Sequence, residues 1–359
     1  MVKNILLVGA VAAYSLAGAT GRFESYIGSE PGKIPGAVVI NYVDGKITPR
    51  CLGYADVNSK IPMTPNTVGW LASNTKAIAC ALVLTYVEEG KLALDEPISR
   101  YLPEWQGEIT PTLRQLMSHT SGLNFFPGMP IDYRPVQLLS RLGVTSKKVA
   151  LPGERFQYSN WGIDVAVACV EAVTGEPWEV LLKKRVLDPL DMHDATFFPT
   201  AEQYQKMAKG YVVDSKCPHL EVPVGQLQFP YSLNSRYAEA GGGLFGSPMD
   251  MIKFYAMVAN GGVGINGRRV LKRETVRLWF EKQTPTNVPN KYSFGADVNE
   301  IGRKMSHGGA WWTWGCAYRE SGVACVLFVQ MAGGGSKVYE KFKDLVDKDA
   351  EGSYSPLSK

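Results

Sequence analysis

Basic clusters, long apolar runs and closely spaced cysteines are all scarce in this chain of 359 residues. The chain has 38 basic and 34 acidic residues, a net charge of +4, and no run of five Lys or Arg, which argues against a nucleic-acid partner. Its six cysteines include no Cys-x-x-Cys pair, and its four histidines show no pairing with acidic residues. We therefore expect no metal site, no cofactor and mostly free thiols.

The only candidate targeting segment lies at the start of the chain. Residues 5–19 are uncharged and mostly apolar, follow the single charge of Lys3 and end in Ala17-Gly18-Ala19, a pattern typical of a secretory signal. About fifteen apolar residues are fewer than the roughly twenty that span a bilayer. We predict that residues 1–19 are a signal peptide, that the protein is exported (periplasmic or secreted), and that the mature chain has no membrane span. If this segment is instead a buried, uncleaved helix, the protein is cytoplasmic.

The remaining sequence predicts a globular protein of the α/β (α+β) class, with a mainly antiparallel sheet flanked by helices. Hydrophobic residues make up 45% of the chain and charged residues 20%, enough apolar material for a large core. Strand patterns with hairpin turns at Asp44-Gly45 and Glu320-Ser321-Gly322 lie near the two ends, and helix patterns crowd the middle. We predict an α/β domain from residues 20–91 and 241–351, a mostly helical domain over residues 92–240, and a tail over 352–359.

The first candidate for chemistry is Ser73-Asn74-Thr75-Lys76, the only Ser-x-x-Lys of the chain. The apolar stretch Thr75–Glu89, followed by Gly90, predicts a buried helix that begins here. A spacing of three residues places the Ser73 hydroxyl and the Lys76 amine on one helical face. A buried lysine of lowered pKa can remove a serine proton, and a helix N-terminus favours a developing oxyanion.

Two further motifs are compatible with a catalytic cleft. Tyr158-Ser159-Asn160 is the only Tyr-x-Asn of the chain, and residues two apart on an extended segment face the same way. In His307-Gly308-Gly309-Ala310, the two glycines would let a substrate lie close to an edge strand. Taken singly, each motif also fits ordinary core packing or a turn at the entry to a strand.

In combination and order, these motifs resemble the serine β-lactamase and penicillin-binding-protein superfamily, specifically its class C β-lactamase-like branch of esterases and D-aminopeptidases. The resemblance covers roughly residues 34–345 and implies a β-lactamase/transpeptidase-like fold. Supporting stretches include Leu116-Met117-Ser118-His119-Thr120-Ser121-Gly122, Pro152-Gly153-Glu154 and Gly241-Gly242-Gly243-Leu244.

The resemblance implies a role for each motif. Ser73 would be the acylated nucleophile, Lys76 its general base and Tyr158 the proton relay to the leaving group. Asn160 would orient the substrate together with His307, Gly308 and Gly309. The oxyanion hole would be formed by the backbone N–H groups of Ser73 and Ala310, and His119 would hold a turn.

One departure from the pattern bears on the substrate. His307 stands where β-lactamases of this branch carry the Lys of Lys-Thr-Gly, and a histidine is largely uncharged at neutral pH. The aromatic run Trp311-Trp312-Thr313-Trp314 fits either an acyl pocket or sheet packing.

The sequence thus favours a serine hydrolase of ester, amide or peptide substrates, with carboxylesterase-like activity ranked first. A D-amino-acid peptidase or amidase, a β-lactamase and an acyltransferase use the same residues and stay open. A non-catalytic scaffold is the least favoured alternative, because a scaffold has no physical need for Ser73, Lys76 and Tyr158 together.

Overall fold

A computed structural model describes residues 23–28, 33–105, 107–124, 148–212, 220–222, 224, 238–332 and 337–352. The predicted signal peptide, Cys217, His219 and nearly all of the predicted tail lie outside these residues. The strands are β1 Gly36–Val43, β2 Lys46–Asp56, β3 Ile61–Pro62, β4 Gly69–Trp70, β5 Gly210–Val212, β6 Leu220–Val222, β7 Phe245–Gly246, β8 Asp297–Val298, β9 Lys304–Gly309, β10 Thr313–Tyr318, β11 Val323–Phe328 and β12 Met331–Ala332.

Helices surround these strands and fill much of the middle of the chain. They are α1 Thr75–Glu88, α2 Leu113–Met117, α3 Asn160–Thr174, α4 Trp178–Leu182, α5 Ala201–Lys206, α6 Pro248–Ala259, α7 Arg273–Trp279 and α8 Lys337–Gly352, with 3-10 turns at Ala72–Asn74 and Ile98–Arg100 and a π-helical turn at Lys183–Leu187. Among the described residues, no helix combines the length and the apolar character that crossing a membrane requires.

The main sheet joins strands from the two ends of the chain. It has seven strands in the order β3-β2-β1-β11-β10-β9-β8, and each neighbouring pair is antiparallel. Both predicted hairpins are present, with Asp44 and Gly45 between β1 and β2 and Glu320 and Gly322 between β10 and β11, all four at positive φ. The mixed fold with a mainly antiparallel sheet is therefore confirmed. The division at residues 92 and 240 stays a prediction, and β5, within that range, pairs with β12 outside it.

Helices cover both faces of this sheet. On one face, α6 lies so close to β10 that a Cβ on Gly315 would be 1.9 Å from the ring of Tyr255. On the other face, α8 stacks Tyr339 on Trp312 with ring centroids 5.1 Å apart. Alternate residues of the central strands therefore enter two separate apolar cores, as the period of two along a strand requires.

Helix α1 is the buried element that the sequence predicted. Residues from Thr75 to Tyr86 are all buried, Lys76 included, and the helix packs against α3. Local caps define its neighbours: the Ser159 hydroxyl accepts the N–H of Gly162 at the start of α3, and Gly175 ends α3 with φ 74°. The Ser73 turn therefore lies at the N-terminal end of a helix that is buried over most of its length.

Candidate active site

Ser73 lies in a tight turn directly before α1. The 3-10 turn Ala72–Asn74 runs into the helix without a side-chain cap, and Ala72 has φ 48°. A left-handed conformation at a non-glycine residue costs roughly 1 to 2 kcal/mol, so the surrounding structure must hold it. Such strained positions cluster at active sites.

Buried hydrogen bonds stabilise this turn. The Asn74 amide donates to Thr313 Oγ1 at 2.9 Å and accepts from the Tyr255 hydroxyl at 2.8 Å. The Thr313 hydroxyl in turn donates to the carbonyl of Leu71 at 2.9 Å. The turn that carries Ser73 is thereby tied to β10 through Thr313 and to α6 through Tyr255.

Lys76 contacts the Ser73 hydroxyl as the spacing predicted. Its Nζ lies 3.0 Å from Ser73 Oγ and also donates to the carbonyl of Gly241. Complete burial lowers the pKa of Lys76 to about 7, against the opposing effect of Glu239 and then Asp164. A large share of this amine is therefore neutral near pH 7, as a general base requires.

Tyr158 lies against the same amine. Lys76 Nζ is 4.6 Å from the centroid of the Tyr158 ring. Burial raises the pKa of Tyr158, and a hydrogen bond with the Ser73 hydroxyl opposes part of that rise. The phenol is therefore protonated at neutral pH and suited to donate a proton, while Lys76 is suited to accept one.

His119 has the structural place that the sequence predicted. It has φ 58°, and its carbonyl accepts the N–H of Gln157 at 2.7 Å. Its Nδ1 accepts the N–H of Ser159 at 3.2 Å, and its ring lies 4.4 Å from that of Tyr158. Burial lowers the pKa of His119 well below its ordinary value, so a neutral imidazole supports the segment that carries Tyr158.

The extended geometry expected for Tyr158 and Asn160 is only partly correct. Ser159 is extended, but Asn160 is the first residue of α3, because the Ser159 hydroxyl caps the helix at that point. Asn160 packs on Gly241, where a Cβ would lie 2.5 Å from the Asn160 Cβ. Its Nδ2 donates to Glu239 Oε1 at 3.0 Å, and its Oδ1 is buried with no partner among the described residues.

His307 is held neutral between two phenols. Its Nε2 lies 3.0 Å from the hydroxyl of Tyr292 and 3.5 Å from that of Tyr158. Burial, with a smaller contribution from the nearby Lys76, lowers the pKa of His307 to about 3. The uncharged state expected from the ordinary histidine pKa is thus reinforced by burial.

The glycines after His307 allow β9 to approach the Ser73 turn. A Cβ on Gly309 would lie 2.2 Å from Thr313 Oγ1 and 2.6 Å from the carbonyl oxygen of Leu71, whereas one on Gly308 would meet nothing within 3.8 Å. Strand β8 pairs with β9 only at Met305 and Ser306, so it leaves this end of β9 uncovered. Ala310 follows at once and is exposed. The oxyanion-hole role of the Ser73 and Ala310 N–H groups stays a prediction.

The tryptophans that follow are packing residues. Trp312 and Trp314 belong to the core under α8, and Trp311 packs against Trp70 with centroids 6.0 Å apart. All three are at most 6% exposed. Of the two interpretations left open by the sequence, the described residues support sheet packing.

Two buried acids and a tyrosine were not among the residues singled out from the sequence. Asp164, on α3, is 0% exposed, and Glu239 is 3% exposed. A carboxylate inside the apolar stretch Trp161–Val170 was the one available signal for Asp164. No local sequence pattern indicated Glu239 or Tyr292, because only tertiary contacts bring them close to Lys76 and His307.

No group of three or more His, Cys, Asp or Glu side chains among the described residues is arranged to hold a metal ion. The five described cysteines, Cys51, Cys80, Cys169, Cys316 and Cys325, are unpaired.

Comparison with known proteins identifies the family. A family model described as Beta-lactamase matches residues 23–346, and the chain belongs to this family. It is 30% identical over 303 residues to protein Rv1367c of Mycobacterium tuberculosis, a match that covers 76% of this chain and 74% of that protein.

Solved structures share the fold at low sequence identity. EstCE1, a hydrolase with promiscuous acyltransferase activity, has a TM-score of 0.75 at 22% identity and covers 95% of this chain and 99% of its own. A D-amino acid amidase from Ochrobactrum anthropi has a TM-score of 0.67 at 21% identity, with 94% and 99% covered. At these identities the similarity establishes the β-lactamase-like fold.

Proposed function

We propose that this protein is a serine hydrolase that cleaves an ester or amide through an acyl-enzyme on Ser73, with carboxylesterase-like activity foremost. The observation that carries the proposal is the 3.0 Å contact between Ser73 Oγ and a buried Lys76 amine whose pKa is lowered to about 7. A serine hydroxyl becomes a competent nucleophile when an adjacent base accepts its proton.

The geometry supports a two-step reaction. Ser73 Oγ attacks the substrate carbonyl carbon while its proton passes to Lys76 Nζ, and the carbonyl oxygen becomes an oxyanion. The bond to the leaving group then breaks, Tyr158 donates a proton to the departing oxygen or nitrogen, and the Lys76 ammonium returns a proton to Tyr158. Water repeats the sequence on the acyl-enzyme, with Ser73 as the leaving group.

The neutral site favours esters over substrates with a carboxylate next to the scissile bond. His307 carries no charge at neutral pH, because burial lowers its pKa to about 3. A neutral imidazole offers a carboxylate an ordinary hydrogen bond where an ammonium would offer a charge-assisted one. This supports an esterase over a β-lactamase. A D-amino-acid peptidase or amidase remains the second candidate, favoured by the Asn160 Oδ1, which has no partner among the described residues and can accept an amide or ammonium N–H.

The test is covalent labelling with a substrate panel. A fluorophosphonate probe followed by peptide mass spectrometry is expected to place the adduct on Ser73, and Ser73→Ala is expected to abolish both labelling and turnover. Ser99→Ala, at an exposed serine of the Ile98–Arg100 turn, is the matched control and should retain both. Labelling elsewhere, or turnover by Ser73→Ala, would contradict the proposal.

The panel contains p-nitrophenyl acyl esters, D-alanyl peptides and a chromogenic cephalosporin, compared by kcat/KM. Faster hydrolysis of the esters supports the carboxylesterase assignment. Product analysis in excess alcohol or amine separates hydrolysis from acyl transfer, since an acyltransferase forms the new ester or amide in place of the free acid.

Export is part of the same proposal. N-terminal sequencing of the protein recovered from its native cell is expected to start just after Ala19. A chain that starts at Met1 would instead place the protein in the cytoplasm.

A further inference from the structure

Two buried acids, Asp164 and Glu239, lie close enough to Lys76 to influence its amine. Asp164 and Glu239 come from different parts of the chain, and both influence the proton affinity of the Lys76 amine. Burial of a carboxyl group is costly unless hydrogen bonds or charges compensate. The contacts of these two acids therefore indicate what they do.

Asp164 acts on the backbone that holds the amine. Its Oδ1 accepts the N–H of Ala240 at 2.7 Å, and the N–H of Gly241 also hydrogen-bonds the carboxyl group. The carbonyl of Gly241 accepts a hydrogen bond from Lys76 Nζ. A continuous set of hydrogen bonds thus runs from Asp164 through Gly241 to Lys76.

Glu239 acts on Asn160 and on the same turn. Its Oε1 accepts the Asn160 Nδ2 at 3.0 Å. Its backbone carbonyl accepts the N–H groups of Gly242 at 3.3 Å and Gly243 at 2.7 Å, which closes the turn that presents Gly241. One side chain thereby fixes the orientation of the Asn160 amide and stands close to Lys76.

We propose that Asp164 and Glu239 are positioning residues for Lys76: Asp164 holds the turn whose Gly241 carbonyl lies against the amine, and Glu239 supplies a negative charge that keeps the amine able to take the Ser73 proton. This assignment deepens the proposed function and rests on it.

The other titratable groups around Lys76 are neutral. Burial lowers the pKa values of His119 and His307 and raises those of Cys80 and Tyr158. Burial and the neighbouring Glu239 raise the pKa of Asp164 well above its ordinary value. Of the two acids near Lys76, Glu239 has the larger raising effect on the pKa of the amine, so the compensating charge is assigned to it. The titratable groups around Lys76 are Cys80 on α1, Asp164 on α3, Tyr158 before α3, Glu239 before β7, His119 after α2 and His307 on β9.

The decisive variant is Glu239→Gln, which keeps the acceptor for Asn160 and removes the charge. An opposite charge at close range moves a pKa by about one unit or more. We therefore expect the acidic limb of the kcat/KM profile to move down by about one pH unit or more. Glu239→Asp retains the charge and is expected to keep the limb near its wild-type position, whereas a merely structural role would leave the limb in place in both variants.

Asp164→Asn tests the second half of the proposal. An asparagine reproduces the acceptor and the shape of a neutral carboxylic acid, so the limb is expected to stay within a few tenths of a pH unit. Asp164→Ala removes the acceptor for the Ala240 N–H and is expected to lower kcat. Asp250→Asn, at a buried acid on α6 that is not among the groups acting on Lys76, is the matched control.

A readout that needs no turnover separates this inference from the proposed function. In protein labelled with [ε-13C]lysine, the Lys76 resonance, assigned by its loss in Lys76→Arg, is expected to titrate near pH 7 and lower in Glu239→Gln. If the Lys76 resonance titrates in this way but the fluorophosphonate probe does not label Ser73, the proposed function fails, whereas the effect of Glu239 on the Lys76 amine stands. If Ser73 is labelled but the Lys76 midpoint is unmoved in folded Glu239→Gln, the assignment is overturned. If Glu239→Gln does not fold, Asp164→Asn provides the test. A downward shift of the Lys76 midpoint by one pH unit in that variant would overturn the assignment.

Discussion

The hydroxyl of Tyr292 lies 3.0 Å from Nε2 of His307, and the hydroxyl of Tyr158 lies 3.5 Å from the same nitrogen. A backbone hydrogen bond at Gly308 also engages the imidazole. A neutral imidazole nitrogen has a single lone pair, so the two phenols share one acceptor. Under the proposed mechanism, Tyr292 thereby influences how freely Tyr158 can direct its proton toward a leaving group.

Tyr292→Phe is expected to lower kcat/KM about tenfold while the protein stays folded. Loss of one hydrogen bond to a buried acceptor is worth about 1 kcal/mol or somewhat more, and His307 Nε2 would then draw the Tyr158 hydroxyl toward itself. Ester kinetics and thermal melting measure the two effects. Tyr42→Phe removes a hydroxyl that accepts from Asn260, directly after α6, and is the control, expected to keep wild-type kinetics. Equal kinetics in both variants would contradict a role for Tyr292.

His307→Lys is expected to shift the ratio of kcat/KM values toward cephalosporins by about tenfold relative to p-nitrophenyl esters. A charge-assisted hydrogen bond to the β-lactam carboxylate is worth about twice a neutral one, a difference of roughly 1 to 2 kcal/mol. His307→Gln keeps the position neutral and should leave the ratio near its wild-type value. An unmoved ratio in the lysine variant would show that residue 307 does not contact that carboxylate.

The activity of the wild-type protein is expected to rise with pH, with a midpoint near pH 7, and to level off about one pH unit higher. Only the neutral Lys76 amine can accept the Ser73 proton, and burial lowers its pKa to about 7. His307, with its pKa lowered to about 3, does not titrate in this range. Profiles of kcat/KM from about pH 5 to pH 9 test the expectation, and a midpoint near the ordinary lysine value would refute it. Lys76→Arg, which cannot lose its proton, is expected to cost a factor of about 100 or more.

Gly309→Ala is expected to destabilise the protein by roughly 1 to 3 kcal/mol and to lower kcat. The added Cβ would lie 2.6 Å from the backbone oxygen of Leu71, and such overpacking must displace β9 or the Ser73 turn. Gly308→Ala is the matched control for stability, because its Cβ would meet neighbours no closer than 3.9 Å. Denaturant unfolding of both variants checks the difference. Equal stability of the two variants would contradict a close approach of β9 to the Ser73 turn at Gly309.

Local patterns predicted a good part of the architecture. The Asp44-Gly45 turn, the Glu320-Ser321-Gly322 turn and the buried helix from Thr75 all appear as expected, since each depends on residues close together in the chain. The pairing of Ser73 with Lys76 was likewise predictable, because a spacing of three on a helix places two side chains together.

The geometry around Asn160 was not predictable from spacing alone. An extended Tyr158–Asn160 segment was a reasonable expectation, but the Ser159 cap starts α3 at Asn160 and turns its amide toward Glu239. The aromatic run Trp311–Trp314 was equally ambiguous, because the same residue types line pockets and fill cores. In the structure, Trp311 packs against Trp70 and Trp312 packs against Tyr339 of α8, which supports packing.

The sequence by itself determined the family, the hairpins, the buried helix and the pairing of Ser73 with the Lys76 amine, all of which follow from residue types at short spacings. Tertiary structure alone decided the protonation of the site. The pKa of Lys76 depends on burial and on the neighbouring Glu239 and Asp164, and that of His307 on burial and on the neighbouring Lys76. Packing brings these groups together from separate parts of the chain, and no local pattern encodes the loss of water or the distance between charges that sets a proton affinity.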